Sequence, residues 1–385
     1  MIIYIDIHTH TLTHHLLSSQ RILMAQIWPS FLLLVSATLL LACHHASCSA
    51  SKFNNATDLQ ALLSFKSMLS DGSMTSWNNS IHFCEWPGIT CGGGRHPQRV
   101  VSLVLGSLGL SGSISPAIGN LTFLRMMDLS INQFHGSIPR EIGHLIRLQY
   151  LNLSQNSIGG GIPTSLSSCS QIQEICLNDN MLTGEVPPAL SSCSDLRHIN
   201  LKNNSLTGHI PPPLTNLSSL SFLRMDYNQL SGSIPPTIGN LHSLFALSFE
   251  SNQLSGSIPP SIGKLSKLIG LSLLGNKLTG AIPSSLWNLS SLSGLSLALN
   301  NLSGSLPPNL GLFLPLIEEI DLYKNQLHGH IPMTLSNASH LERIDFSKNR
   351  FSGTIPPNFG SLKNLKCIGF AGNLLEAKDT KGWLS

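Results

Sequence analysis

Apolar positions along this chain recur with a fixed step. From Leu124 to Pro139 the sequence reads LRMMDLSINQFHGSIP, and 24 residues later it reads LQYLNLSQNSIGGGIP. In each copy apolar residues stand eight, five and three positions before an asparagine, as Leu148, Leu151 and Leu153 do before Asn156. The same step of 24 links Asn132, Asn156, Asn180, Asn204, Asn228, Asn252, Asn276 and Asn300, and the series resumes at Asn325, Asn349 and Asn373. Leu108 holds the slot one step earlier, which makes twelve turns. The residues five and three before the asparagine are two apart, so on an extended segment they point the same way. The pattern therefore predicts one short strand per turn with its apolar row facing inward, followed by a bend. A single turn is too small to bury its own leucines, but strands stacked at about 4.8 Å form a parallel ladder over a continuous core. The asparagine stands at the bend, where its amide can donate to and accept from backbone groups that would otherwise be unpaired. Leucine at position 108 cannot do this.

This period, with L-x-x-L-x-L-x-x-N, marks leucine-rich repeats. The predicted fold is an α/β solenoid of about twelve repeats of 24 residues, with a parallel sheet on the concave face, over residues 100–373. At 385 residues the chain is long enough for several ordinary domains, yet a solenoid uses such length in one body. Charged residues make up only 11% and net charge is +3, which leaves no basic stripe of the sort that grips nucleic acid. The 32 glycines and 22 prolines fall mostly at fixed repeat positions such as G-x-I-P and do not signal disorder.

Residues 1–50 read as a leader and signal peptide. Asp6, His8 and His10 form D-x-H-x-H, similar to the first metal-binding strand of amidohydrolases, but no barrel with further ligands follows, so no metal or other cofactor is expected. The apolar run 31–42 is too short to span a bilayer, which takes about 20 residues, and suits a signal core cleaved near Ala50. An uncleaved signal anchor is the rival reading, and Met24 is a second candidate start. Residues 51–99 read as a lid on the first turn. Thr57 and Asp58 offer an N-cap to a helix whose Leu59, Leu62, Leu63, Lys66 and Leu69 follow helical spacing. Cys84 and Cys91 share a short loop and can close a disulfide in an oxidising compartment. Cys169 and Cys193 replace core leucines and read as small core residues, whereas Cys176 and Cys367 fall on the open strand face.

Sequons begin at Asn55, Asn78, Asn120, Asn152, Asn203, Asn216, Asn288, Asn301 and Asn337, and none is a ladder asparagine. Asn120, Asn216, Asn288 and Asn337 share one register on the flank or back. Asn152 and Asn203 project from the strand face and would mask part of it if glycosylated.

The run ALLSFKSML, the Ser76–Trp77 pair, C-x-W-x-G-x-x-C at Cys84, Trp86, Gly88 and Cys91, and the LxGxIPxxLGxL turns together resemble the extracellular part of plant leucine-rich-repeat receptor-like kinases. The likeness covers about Asp58 to Asn373 and is closest to the immune-type subfamily of flagellin and bacterial-blight resistance receptors. It implies a right-handed superhelix, an extra strand near each I-P, capture of a peptide or protein ligand on the inner and lateral surface, and a co-receptor kinase of the same repeat type. It further implies a membrane span and a kinase, whose glycine-rich loop, H-R-D and D-F-G are absent here. Residues 374–385 lose the repeat phrase and read as the truncated end of a receptor product. A secreted decoy, or a cell-wall protein of the polygalacturonase-inhibitor type, is the alternative. The membrane would then be reached only through a missing C-terminal span or an uncleaved signal.

Positions seven, six, four, two and one before each asparagine are expected to face outward. They place Tyr150 in the early turns and Arg197, His198, Lys202, Phe222, Arg224, Asp226 and Tyr227 in the middle ones, with the bland turns at 269–275 and 293–299 beyond. The cluster Arg197, Phe222, Arg224 and Tyr227 is the expected hot spot, since aromatic and arginine side chains give large contact area and bidentate bonding. No His, Ser or Asp trio recurs in a plausible pocket, so binding is expected and catalysis is not.

Overall fold

The structure is a computed structural model that describes residues 55–70, 74–94 and 96–376. By internal contacts the chain divides into Met1–Phe53 and Asn54–Ser385, and the described residues all belong to the second unit. The leader, the run 31–42, the expected cleavage point and the end from 377 lie outside them.

The second unit is an α/β solenoid. Its main sheet has thirteen strands, of which Ile89–Cys91 pairs antiparallel with Val100–Val104 and the rest run parallel through to Cys367–Gly369. Register is held from turn to turn: Met127 pairs with Leu151, Leu151 with Ile175 and Ile175 with Ile199. The step from Asn300 to Asn325 is one residue longer, yet Leu295 still pairs with Ile320, so the extra residue is absorbed off the sheet. Leu148, Leu151 and Leu153 are fully buried, and their equivalents continue the core along the whole unit. Each such leucine contributes about 2 kcal/mol of burial that it could not obtain in an isolated turn.

All eleven asparagines of the ladder do what the bend requires. Asn228 donates to the carbonyls of Leu201, Met225 and Asp226 and accepts the N–H of Leu206. Asn132 likewise reaches Leu105 O and accepts from Leu108 and Leu110, so the first turn, which lacks its own asparagine, is closed by the second. The residue just before each asparagine sits in the left-handed region, as at Ile131, Tyr227 and Leu299 with φ of 55°, 52° and 54°. Nothing in the apolar pattern announced that conformation.

The extra strands near I-P are present. Seven of them, from Ser231–Gly232 to Leu374–Leu375, form a second parallel sheet, while around Gly159 and Gly161 pairing thins to single bridges. Short 3-10 helices such as Pro116–Asn120 and Arg140–His144 close the outer side. Gly119 packs there against the backbone of Glu141 in the next turn, leaving no room for a Cβ.

The lid is a helix, Ala56–Ser67, packed on Pro116–Asn120. Asn55 precedes it without a side-chain capping bond, so Thr57 and Asp58 are not its N-cap. Asp58 is instead fully buried, holds Arg99 through two bonds of 3.0 and 2.9 Å, and accepts the N–H of Val100 at 2.8 Å. That carboxylate clamps the start of the first repeat strand to the lid. Phe65, Trp77 and Trp86 are buried behind it, with the two indoles stacked at 5.1 Å. Cys84 and Cys91 form a disulfide.

Candidate ligand-binding face

The outward row of the main sheet is more closed than alternation alone predicts. Position seven before the asparagine is open at Arg125, Arg197, Glu318 and Lys366 and half-buried in other turns, but small residues at position four are mostly buried. Cys176 is one of these. It is 5% exposed between strands carrying Asn152 and Asn200, so it does not lie on an open face. Asn152 is also buried, at 9%, donating to Tyr150 and accepting from the Ser154 N–H and hydroxyl. It has no room for a glycan in this fold. Asn203 is exposed and bonded to Asp179, while Asn78, Asn120, Asn216, Asn288, Asn301 and Asn337 are exposed and Asn55 is half-buried.

The sequence-derived cluster comes together. The His198 ring stacks on Phe222 at 4.1 Å, and Phe245 lies 6.1 Å beyond. Arg224 pairs with Asp226 two residues on, at 2.6 Å, and Asp226 also accepts the Glu250 N–H. The Tyr227 hydroxyl donates to Glu250 at 2.6 Å, and Lys202 sits 5.5 Å over the Tyr227 ring. These contacts also sort the residues by role. Phe222 is 3% exposed and Asp226 is not exposed at all, so they build the face from below. Arg197 is exposed, and Lys202, Tyr227, His198, Arg224 and Tyr150 are half-buried. Sequence reasoning could place all eight on one face, but not divide support from contact, because that depends on pairing across strands.

Burial governs the electrostatics. It lowers the His198 pKa to about 4, with the Arg224 charge adding to the effect. It raises Glu174 and Glu250, and it raises Tyr227, where the bond to Glu250 contributes as well. Further along, burial lifts Asp321 to about 7, with Asp345 on the next strand adding repulsion. Cys169 and Cys193 are buried thiols raised to about 12 and about 11, as core cysteines should be. An open groove of about 420 Å³ lies beside Lys277, Thr279, Leu299, Asn301 and Lys324, off the aromatic cluster.

Comparison with known proteins agrees with this geometry. Residues 55–92 match the leucine rich repeat N-terminal domain. Residues 147–169, 195–217, 219–241, 243–265 and 340–362 match the Leucine Rich Repeat family. Over 88 residues, 22% of this chain, it is 51% identical to the LRR receptor-like serine/threonine-protein kinase EFR of Arabidopsis thaliana. Over 84 residues, 20% of this chain, it is 56% identical to the receptor kinase-like protein Xa21 of Oryza sativa subsp. japonica. The ectodomain of the Arabidopsis receptor kinase HAESA, in complex with an N-terminally extended IDA peptide hormone, superposes with a TM-score of 0.70 at 29% identity, covering 83% of this chain and 58% of HAESA's.

The described residues form a leucine-rich-repeat domain similar to those of plant receptor kinases.

A second HAESA structure, with IDA and the co-receptor SERK1, superposes with a TM-score of 0.63 at 27% identity over 83% of this chain and 66% of that one. The aligned stretches span 8% of EFR and 8% of Xa21, a small part of the length of either relative.

Proposed function

We propose that this leucine-rich-repeat domain captures a peptide or protein ligand on its inner sheet. In that reading it is the extracellular recognition part of a receptor-like kinase and offers the bound ligand to a co-receptor kinase of the same repeat type. The observation that carries the reading is the arrangement between Arg197 and Glu250. Arg197, Lys202 and Tyr227 stand outermost on a platform fixed by the His198–Phe222 stack and the Arg224–Asp226 pair. Rigid aromatic and cationic groups of this kind give large contact area at small entropic cost. The HAESA complexes support it by likeness, since that similar ectodomain is seen in complex with a peptide hormone and, in one case, with the co-receptor SERK1. The domain would act on the outer face of the plasma membrane or in the secretory pathway, and would bind without turnover.

Panning a displayed random-peptide library against the chain tests this. Peptides recovered on the unmodified chain should bind at least about tenfold more weakly to the Arg197→Ala/Lys202→Ala double variant, as for loss of a hot-spot pair. Equal affinity would remove the assigned face. Arg224 is the wrong residue to truncate for this purpose, because its loss leaves Asp226 buried and unpaired.

A further inference from the structure

The long turn between Asn300 and Asn325 differs from its neighbours on the outer side. Where the flanking turns carry the 3-10 helices Ser284–Asn288 and Met333–Asn337, this one carries Leu310–Phe313 as a turn of α-helix packed between them. Aligned on the ladder, the position twelve before the asparagine is Asn288, then Phe313, then Asn337. A column that is polar on both sides is thus interrupted by one phenylalanine. Phe313 is 40% exposed, and Leu312 and Leu316 in the same turn and Met333 in the next are 58%, 49% and 60% exposed. Single exposed apolar residues are ordinary, but four in two adjacent turns call for a cover.

We propose that an N-linked glycan on Asn337 is that cover, with its first sugar lying on Phe313. Asn337 is exposed and opens the sequon Asn337-Ala338-Ser339. Its turn is the one pressed closest to the helix, since Gly311 lies against the backbone of Thr334 and Leu335. A pyranose presents hydroxyls at its rim and C–H groups on its face, so it can lie on an aromatic ring while its polar groups stay in water. A covalent sugar therefore removes the patch from solvent without a second protein, and the break in the polar column becomes a seat for the sugar. The proposal rests on the reading of the chain as secreted.

The test is to produce the full chain through a eukaryotic secretory host and measure occupancy at each sequon by glycopeptide mass spectrometry. Hydroxyl-radical labelling is then compared before and after native deglycosylation, with the exposed Met181 as internal reference. Asn337 should be occupied, and labelling of Phe313 and Met333 should rise severalfold on deglycosylation while Met181 stays constant. Asn337→Gln should reproduce the rise and Asn120→Gln should not. Occupied Asn337 with unchanged labelling overturns the proposal, as does an empty Asn337 among occupied sequons. Protection that survives deglycosylation, in a protein that runs as a dimer, assigns the patch to a second copy and also overturns it. If no sequon is occupied, the secreted reading fails first and this one falls with it.

Discussion

The inner sheet has two contrasting stretches on one scaffold. From Arg197 to Glu250 it carries a stack and a tyrosine–glutamate bond that join three neighbouring turns, with an ion pair inside the middle one. In the next two turns the same register holds Gly270, Ser272, Gly294 and Ser296, and a Cβ built on either glycine would touch nothing within 4 Å. Beneath both runs the same hydrogen-bonded ladder: Asn276 reaches Phe249, Leu273 and Leu274 just as Asn228 reaches its own three carbonyls. The difference teaches that the asparagine ladder forms in the same way whatever the outward row carries. Inward residues and the asparagine hold the turn, and outward residues are free to become chemistry or remain blank.

The largest effect that would break the comparison is in the middle stretch. Asp226→Ala strands the mostly buried Arg224 guanidinium and should cost about 3–5 kcal/mol, read as a shift of the denaturant midpoint. A near-neutral result would mean that the pair is solvated and the platform is loose. Next, Asn228→Leu and Asn276→Leu should each cost about 2–4 kcal/mol, and by similar amounts, because each strips partners from four backbone groups. A clear inequality would show that the outward chemistry helps hold the ladder after all.

Acid should sharpen the contrast. The folded pKa of His198 is depressed to about 4 from an ordinary value near 6.5. Its contribution is therefore whole above the unfolded value and is lost as pH falls from about 6.5 toward 4. His198→Gln should flatten that loss in a pH series of unfolding midpoints. Glu174, Glu250 and Asp321, all raised by burial, work in the opposite sense and favour the fold as they protonate, Asp321 as pH falls below about 7. An unchanged slope in the variant would mean that His198 is charged in the folded protein. The smallest effect belongs to the bland stretch. Gly270→Ala should stabilise by about 0.5 kcal/mol, since it restricts the unfolded chain at a position where the added Cβ meets open space.

Much of the repeat was legible because its cause is local. Leu148, Leu151, Leu153 and Asn156 state by spacing alone which way they point, and the core and ladder follow. The placement of Arg197, Phe222 and Tyr227 on one face was legible for the same reason. Asp58 was not, since its partners Arg99 and Val100 lie some forty residues on and a helix-start residue is an equally good reading of the same letters. Asp226, Cys176 and Asn152 were misjudged as open because alternation gives a direction but no depth.

The sequence by itself determined the period, the inward row, the asparagine at each bend and which residues lie on the outward side of the sheet, because each follows from geometry within one turn. Only the tertiary structure decided which outward residues are covered and which thiols are closed off. Those outcomes depend on what the neighbouring turn places beside each residue, and side-chain size and pairing across strands are relations between turns that no single turn encodes.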